Sequence, residues 1–477
     1  MPGGFKRKRW RDEQRLRIDL NGMMACAVGD PGLAEADLEA LMPRLGDVAV
    51  ELERQRRSGA LRFADVPYDK TELKRTQRLA DEMRGEFDDL VVLGIGGSAL
   101  GTRALYAALR PPGHATAPPA DGEMRLHVAD TIDPSWFGAL LERLDLRRTL
   151  FNVISKSGDT AETMSQFLIV RDRLLQSLGA VEYTRHVVIT TDGTQGALRQ
   201  IVNDEGFPSL GLPPGVSGRF SVLTAVGLFP AACAGIDVAE LLAGAVEMDE
   251  RCRTAPPREN PAFLQAATLH LAGLRGQRVV VMMPYSEALA PLADWFCQLW
   301  AESLGKRLDR TGATVHSGQT PVKAVGPGAQ HSQLQLFVEG PPDKVVVFLR
   351  VEEHRAEVAV PEAYEDLETV GYLGGHGLGE LLNMEQQGTE LALAKAGRLT
   401  STIVCPRVNP FVVGQLVHLL ALETVAAAGL LAVNAFDQPG IEEGKELTYG
   451  LAGRPGYEAR RAEVQRWQGQ KESRYVL

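Results

Sequence analysis

The chain has 477 residues and a formal net charge of −10, with 44% hydrophobic, 23% charged and 6% aromatic residues. That length exceeds what one compact core holds, so two or three domains are expected, and the composition argues against disorder outside the ends. The acidic balance argues against a broad surface for nucleic acid or anionic lipid, which needs a basic footprint.

In chain order, the first feature is a basic run over residues 6–11, with Lys8, Arg9 and Trp10 inside it. It reads as a solvated N-terminal tail rather than a nucleic-acid arm or a localisation signal. The opening residues are charged, unlike the apolar run of a signal peptide. Up to about residue 70 the pattern is one of helices and a connecting loop outside the first sheet.

Short β-branched runs then follow at residues 89–95, 125–129, 149–154 and 186–190, each ending in Gly, Ser, Thr or Asp and leading into a helix-like segment. This is the pattern of βαβ units and a parallel sheet. Residues 251–260, with Pro256, Pro257 and several charges, form the crossover to a second set of runs at 278–283, 345–351 and 400–405. The apolar stretch 411–433 is long enough to cross a membrane, but Gln415, His418 and Glu423 interrupt it, so a buried core helix is expected. After Gly450, the residues Glu458, Arg460, Arg461, Glu463 and Arg466 mark an exposed terminal helix.

The fold class is therefore α/β: two doubly wound, mostly parallel-sheet domains with helical N- and C-terminal extensions. The expected division is 1–74, 75–250, 251–445 and 446–477. No short repeat is present. Five cysteines (Cys26, Cys233, Cys252, Cys297, Cys405) are scattered without a CxxC pair, which fits thiols in a reducing, cytoplasmic compartment.

Two loops carry chemistry. In the first, the run Val91, Val92, Leu93, Gly94, Ile95, Gly96, Gly97, Ser98 leads a strand into a glycine turn and a helix, where backbone amides can approach an oxyanion or a sugar. Gly94, Gly96 and Ala99 also satisfy the GxGxxA variant of the dinucleotide fingerprint, with Asp130 as a possible ribose ligand. That rival is weakened because Asp130 lies well beyond the expected ~20 residues. In the second loop Ser155, Lys156, Ser157 and Thr160 are grouped where a helix begins near Thr160. An N-cap needs one hydroxyl; three beside a lysine, at a helix N-terminus, suit a phosphate monoester.

Together the two loops resemble sugar isomerase domains, and the rest of the chain resembles the glucose-6-phosphate isomerase (phosphoglucose isomerase) family. Residues 215–221 (GVSGRFS) resemble its glycine-glycine-arginine signature, with Ser217 in place of the first glycine. Residues 436–445 (FDQPGIEEGK) resemble its C-terminal signature, with Ile441 where valine is usual. Residues 300–306 (WAESLGK) resemble the catalytic-glutamate segment and residues 328–333 (GAQHSQ) the histidine segment. The likeness runs over about residues 89–445, in six segments in the family's order.

The resemblance implies an interconversion of glucose 6-phosphate and fructose 6-phosphate through an enediol, in glycolysis and gluconeogenesis. Such a reaction needs a base that moves the C2 proton to C1 and a group that meets the charge on the intermediate's oxygens. By resemblance Glu302 is the base and Arg219 the stabiliser; by residue type alone Glu302 is equally a surface charge on an amphipathic helix. Closed sugar rings must first be opened, a task for a histidine near neutral pH, and resemblance assigns it to His331 with help from Lys445. Gly97, Ser98, Gly218 and Gln438 are the implied sugar-binding residues. The family pattern also implies a homodimer in which His331 serves the neighbouring subunit.

The remaining histidines show no HxH and no helical i,i+4 pair, so no metal site is expected, and no cofactor. Two other functions compete: a nicotinamide-dependent oxidoreductase built on the Gly94 loop, and a non-catalytic sugar-phosphate sensor. The Ser155 loop argues against the first. The second would need an output module, which neither terminus is patterned to supply, and would have no use for Glu302, Arg219 or Lys445.

Overall fold

The computed structural model describes residues 3–120 and 122–477. Its strands are β1 (Arg17–Asp19), β2 (Asp89–Leu93), β3 (Arg125–Ala129), β4 (Thr149–Ile154), β5 (Val187–Asp192), β6 (Ser209–Leu212), β7 (Val279–Pro284), β8 (Lys306–Leu308), β9 (Thr314–Ser317), β10 (Thr320–Lys323), β11 (Lys344–Glu353) and β12 (Leu399–Arg407). One five-stranded sheet has the order β3-β2-β4-β5-β6 and is parallel throughout. The other has the order β1-β12-β11-β7-β10, parallel except for β1. The architecture is α/β with two doubly wound sheets. Strands β8 and β9 form a separate antiparallel pair.

Every residue of β2 and β4 is buried, because crossover helices cover both faces of the sheet, and their sequences are correspondingly apolar without alternation. Each strand of the first sheet releases its loop at the same, carboxyl edge, where α/β proteins build their sites. The helix Pro410–Leu430 is buried along almost its whole length. It lies against the helix Val238–Thr254 so closely that a Cβ on Gly414 would stand 1.9 Å from the Leu241 carbonyl oxygen, and one on Gly244 1.9 Å from that of Phe411. Glycine at both positions is what lets the two backbones touch. This helix is apolar enough to span a bilayer by composition, and the window that makes it so is wholly buried in the protein.

A buried polar knot joins these helices to the N-terminal extension. Asp249 accepts from Arg56 (2.8 and 3.0 Å), from the Tyr68 hydroxyl (2.7 Å) and pairs with His418 Nε2 (3.2 Å). Burial by itself would raise this carboxyl, but the hydrogen bonds from His418, Arg56 and Tyr68 outweigh it and hold it well below the usual carboxylate range. Its contribution to stability is therefore complete above the ordinary carboxylate pKa and is lost as pH falls through the depressed value. We expect Asp249→Ala to cost about 3 kcal/mol, because it takes the shared acceptor from the buried His418 ring and the Tyr68 hydroxyl and leaves Arg56 only Asp65 and the Ala64 carbonyl. Denaturant unfolding at pH 7 and pH 3 checks this: the gap between the variant and the natural chain should narrow at the lower pH.

Two expectations change. The basic run is not a solvated tail: Lys8–Glu13 is a short helix, Trp10 packs edge-on against Phe411 (centroids 5.2 Å apart), and Arg11 and Arg15 pair with Glu247 (3.2 and 3.3 Å). The N-terminal extension also contributes a strand, β1, to the second sheet. At the end of β11, Glu352 and Glu353 are exposed, whereas His354 is half-buried, its Nε2 enclosed without a partner.

Candidate active site

The loops after β2 and β4 open into a cleft of about 1000 Å³. In the first loop, Gly96–Ser98 form one tight turn in which Gly96 has φ 56°, and Gly97 presses on the backbone of Gly218, where a Cβ would come within 2.2 Å. Only glycine allows that approach, and it brings the Ser98 turn and the Arg219 segment to the same wall.

In the second loop the hydroxyls divide their work. Ser155 is buried and braces the turn, accepting from the Gly158 N–H (3.1 Å) and meeting the Thr160 hydroxyl at 2.8 Å. Lys156, Ser157 and Thr160 line the cleft, and Thr160 stands at the N-terminus of the helix Ala161–Glu182. The Lys156 amine donates to the Val216 carbonyl (2.9 Å), tying this loop to the Arg219 segment.

Arg219 is almost fully buried, and all five of its N–H groups are used. Nε donates to Ser303 Oγ (2.9 Å), Nη1 to Glu302 Oε2 (2.9 Å) and Gln438 Oε1 (2.6 Å), and Nη2 to the carbonyls of Ala435 (2.5 Å) and Asp437 (3.0 Å). Its own carbonyl accepts from the Trp295 indole (3.1 Å). Burial lowers the guanidinium below its ordinary pKa, and Glu302 partly offsets this. The other Glu302 oxygen accepts from Gln298 Nε2 (2.8 Å). The carboxylate is thus clamped from two sides, with about a quarter of its side chain open to the cleft. Beneath it Lys306, also lowered by burial against the opposing pull of Asp437, donates to the Glu302 and Asp437 carbonyls.

Gln438 and Lys445 line the cleft from the C-terminal side, where Lys445 pairs with Glu442 (3.0 Å). His331 does not join them. It is exposed on the five-residue helix Gly328–Ser332 and is not among the residues that line the cleft. The turn before it rests on Tyr285, whose ring lies where a Cβ on Gly326 would be (2.5 Å) and whose hydroxyl donates to Gln330 (2.6 Å). Asp130 is spoken for as well, paired with Arg103 at 2.6 Å.

Sequence reasoning passed over Gln298 and Ser303. Gln298 stands one helical turn before Glu302 on the helix Ala290–Leu304, an i,i+4 spacing that puts both on one face and was there to be read. Nothing in the sequence pointed to Ser303 as the partner of Arg219. Two unpartnered buried atoms, Gln298 Oε1 and Ser217 Oγ, belong to residues that line this same wall.

Two mostly parallel sheets, with a glycine turn and a hydroxyl-rich turn at the carboxyl edge of the first, define a doubly wound α/β protein with its cleft at that edge. A solved structure from Thermus thermophilus, hypothetical protein TT0462, superposes with a TM-score of 0.83 at 39% identity, covering 92% of this chain and all of that one. A glucose-6-phosphate isomerase from Chlamydia trachomatis shares the fold, with a TM-score of 0.74 at 24% identity over 87% of this chain and 78% of its own. The chain is 44% identical over 464 residues to the glucose-6-phosphate isomerase of Carboxydothermus hydrogenoformans, covering 97% of this chain and 99% of the relative. To that of Rubrobacter xylanophilus it is 45% identical over 430 residues, covering 90% and 96%. The model of the family described as phosphoglucose isomerase matches residues 75–465, and the chain belongs to that family.

Proposed function

We propose that the chain interconverts glucose 6-phosphate and fructose 6-phosphate, with Glu302 as the base. The observation that carries this reading is the Glu302 carboxylate, clamped by Arg219 and Gln298 and open to a cleft whose other end is the Ser155 loop. The names of the closely similar relatives support it.

In this reading the phosphate sits at Lys156, Ser157 and Thr160, with the loop amides and the helix N-terminus adding donors. Gly97, Ser98, Gly218 and Gln438 border the sugar. Once the ring is open, Glu302 removes the C2 proton and returns it to C1. Arg219, whose five N–H groups are all engaged within the protein, acts on the negative charge of the enediol through its fixed positive charge rather than by a direct hydrogen bond. Asp130, committed to Arg103, gives no support to the oxidoreductase alternative. The test is a coupled assay of fructose 6-phosphate conversion by the purified chain in the presence of chelator; no turnover would overturn the reading.

His331 opens the ring from a second copy, in a homodimer, with Lys445 of the receiving chain beside it. Its exposure, apart from its own chain's cleft, supports this. Mixing Glu302→Gln chains with His331→Ala chains should then regenerate activity from two nearly inactive parents, because each mixed dimer holds one site with both lesions and one with neither. Mixed dimers verified by mass that recover nothing would rule it out. Free thiols at all five cysteines suit a cytoplasmic enzyme.

A further inference from the structure

The phosphate end of the cleft is short of positive charge. Asp159, Glu162 and Asp192 line the cleft, where Lys156 already gives its amine to the Val216 carbonyl and Lys445 is paired with Glu442. An entering dianion meets three carboxylates, against which loop amides and a helix terminus set only partial charges.

A further cation stands at the rim. The C-terminal arm is a hairpin of two helices, Glu442–Leu451 and Glu458–Gly469, closed so tightly that a Cβ on Gly450 would lie 2.6 Å from the Arg461 nitrogen. In the turn between them Arg454 points to the phosphate-end loop, with Nη1 3.6 Å from Asp159 Oδ2. Its guanidinium lies 4.4 Å from the Tyr449 ring centroid and 5.4 Å from that of Tyr457, and the two rings meet edge-on at 5.3 Å. Tyr449 itself lines the cleft. The aromatic platform therefore keeps the arginine at the rim beside Asp159. An ion pair this exposed contributes little to folding. Its effect is on what approaches Asp159.

We propose that Arg454 is a specificity-determining residue for phosphorylated substrate: it screens Asp159 in the empty cleft and turns its fork to the phosphate when substrate is bound. This rests on reading the Ser155 loop as the phosphate site. Both ligands of the guanidinium are anionic and neighbouring, so the exchange needs only a change of partner.

The experiment measures competitive inhibition by inorganic phosphate, together with KM and kcat for fructose 6-phosphate, in the full chain. Arg454→Met should weaken phosphate inhibition about tenfold and raise KM more than it lowers kcat. Arg454→Lys should retain part of the inhibition, keeping the charge without the fork. Asp159→Asn should tighten inhibition, because it removes a carboxylate and releases Arg454. Unchanged inhibition in Arg454→Met overturns the proposal, and so does weaker inhibition in Asp159→Asn. The variant Ser157→Ala with Thr160→Ala separates the two readings. If it too binds phosphate normally, the phosphate site lies elsewhere and both readings fall. If it loses inhibition while Arg454→Met does not, the Arg454 proposal alone falls.

Discussion

Replacing Glu302 with Gln should lower kcat by about 10³-fold, within the range that a positioned general base contributes, and leave the affinity for a sugar-phosphate inhibitor nearly intact. The surroundings can absorb this substitution. The new amide oxygen can accept from Arg219 in place of Oε2, and Gln298 can turn its amide so that its Oε1, unpartnered in the native cleft, accepts from the new NH₂. Thermal unfolding should therefore move little, and loss of activity reports on the proton transfer alone. Loss of solvent tritium exchange into the C2 position is the direct measurement. Retained exchange would remove Glu302 from the mechanism.

Arg219→Ala should behave differently. It removes a buried group whose five donors serve Ser303, Glu302, Gln438 and two carbonyls, so both activity and stability should fall. We expect kcat to drop by about 10³-fold, because Glu302 loses its clamp and the site its fixed positive charge, and stability by about 3 kcal/mol from the partners left unpaired. Arg219→Lys keeps the charge but cannot span five acceptors in a fixed fork, so it should recover stability only in part and little of the rate. Steady-state kinetics well below each variant's unfolding midpoint separate the two effects. An effect confined to KM would make Arg219 a substrate-binding group rather than a stabiliser of the reacting charge.

The contrast between what was and was not legible in the sequence has a physical origin. Central strands such as β2, β4 and β11 are covered on both faces and announce themselves as apolar runs. Strands β1, β6 and β10 sit at sheet edges, and their short sequences carry Arg17 and Asp19, Gly211, or Pro321 and Lys323. Edge strands tolerate such residues, so the periodicity signal fades there. Trp10 offered the hint that the basic run docks, since a large aromatic residue seldom stays solvated, but its partner Phe411 lies at the far end of the chain.

Within the site, residues carried by contiguous runs could be singled out from sequence, and most of them line one cleft. Ser155 belonged to such a run, yet its hydroxyl is turned inward; spacing alone cannot tell a brace from a ligand. Contiguity likewise says nothing about which cleft a side chain enters, which is why His331 stands apart from Glu302. Arg454 lies beyond the signature segments altogether, and only the folded hairpin brings it to Asp159.

The pairing of β1 with β12 bears on how the chain is made. Arg17 is opposite Val404 and Asp19 opposite Thr402, so β1 cannot pair until β12 has been made. At ordinary synthesis rates of about 5–20 residues per second that interval is roughly 20–80 s. Meanwhile the emerging segment has nothing to pair with, and its Arg and Lys content keeps it in water rather than in contact with other nascent chains. The basic run beside β1 thus works as a solubilising flank for a clasp that closes only once β12 is made.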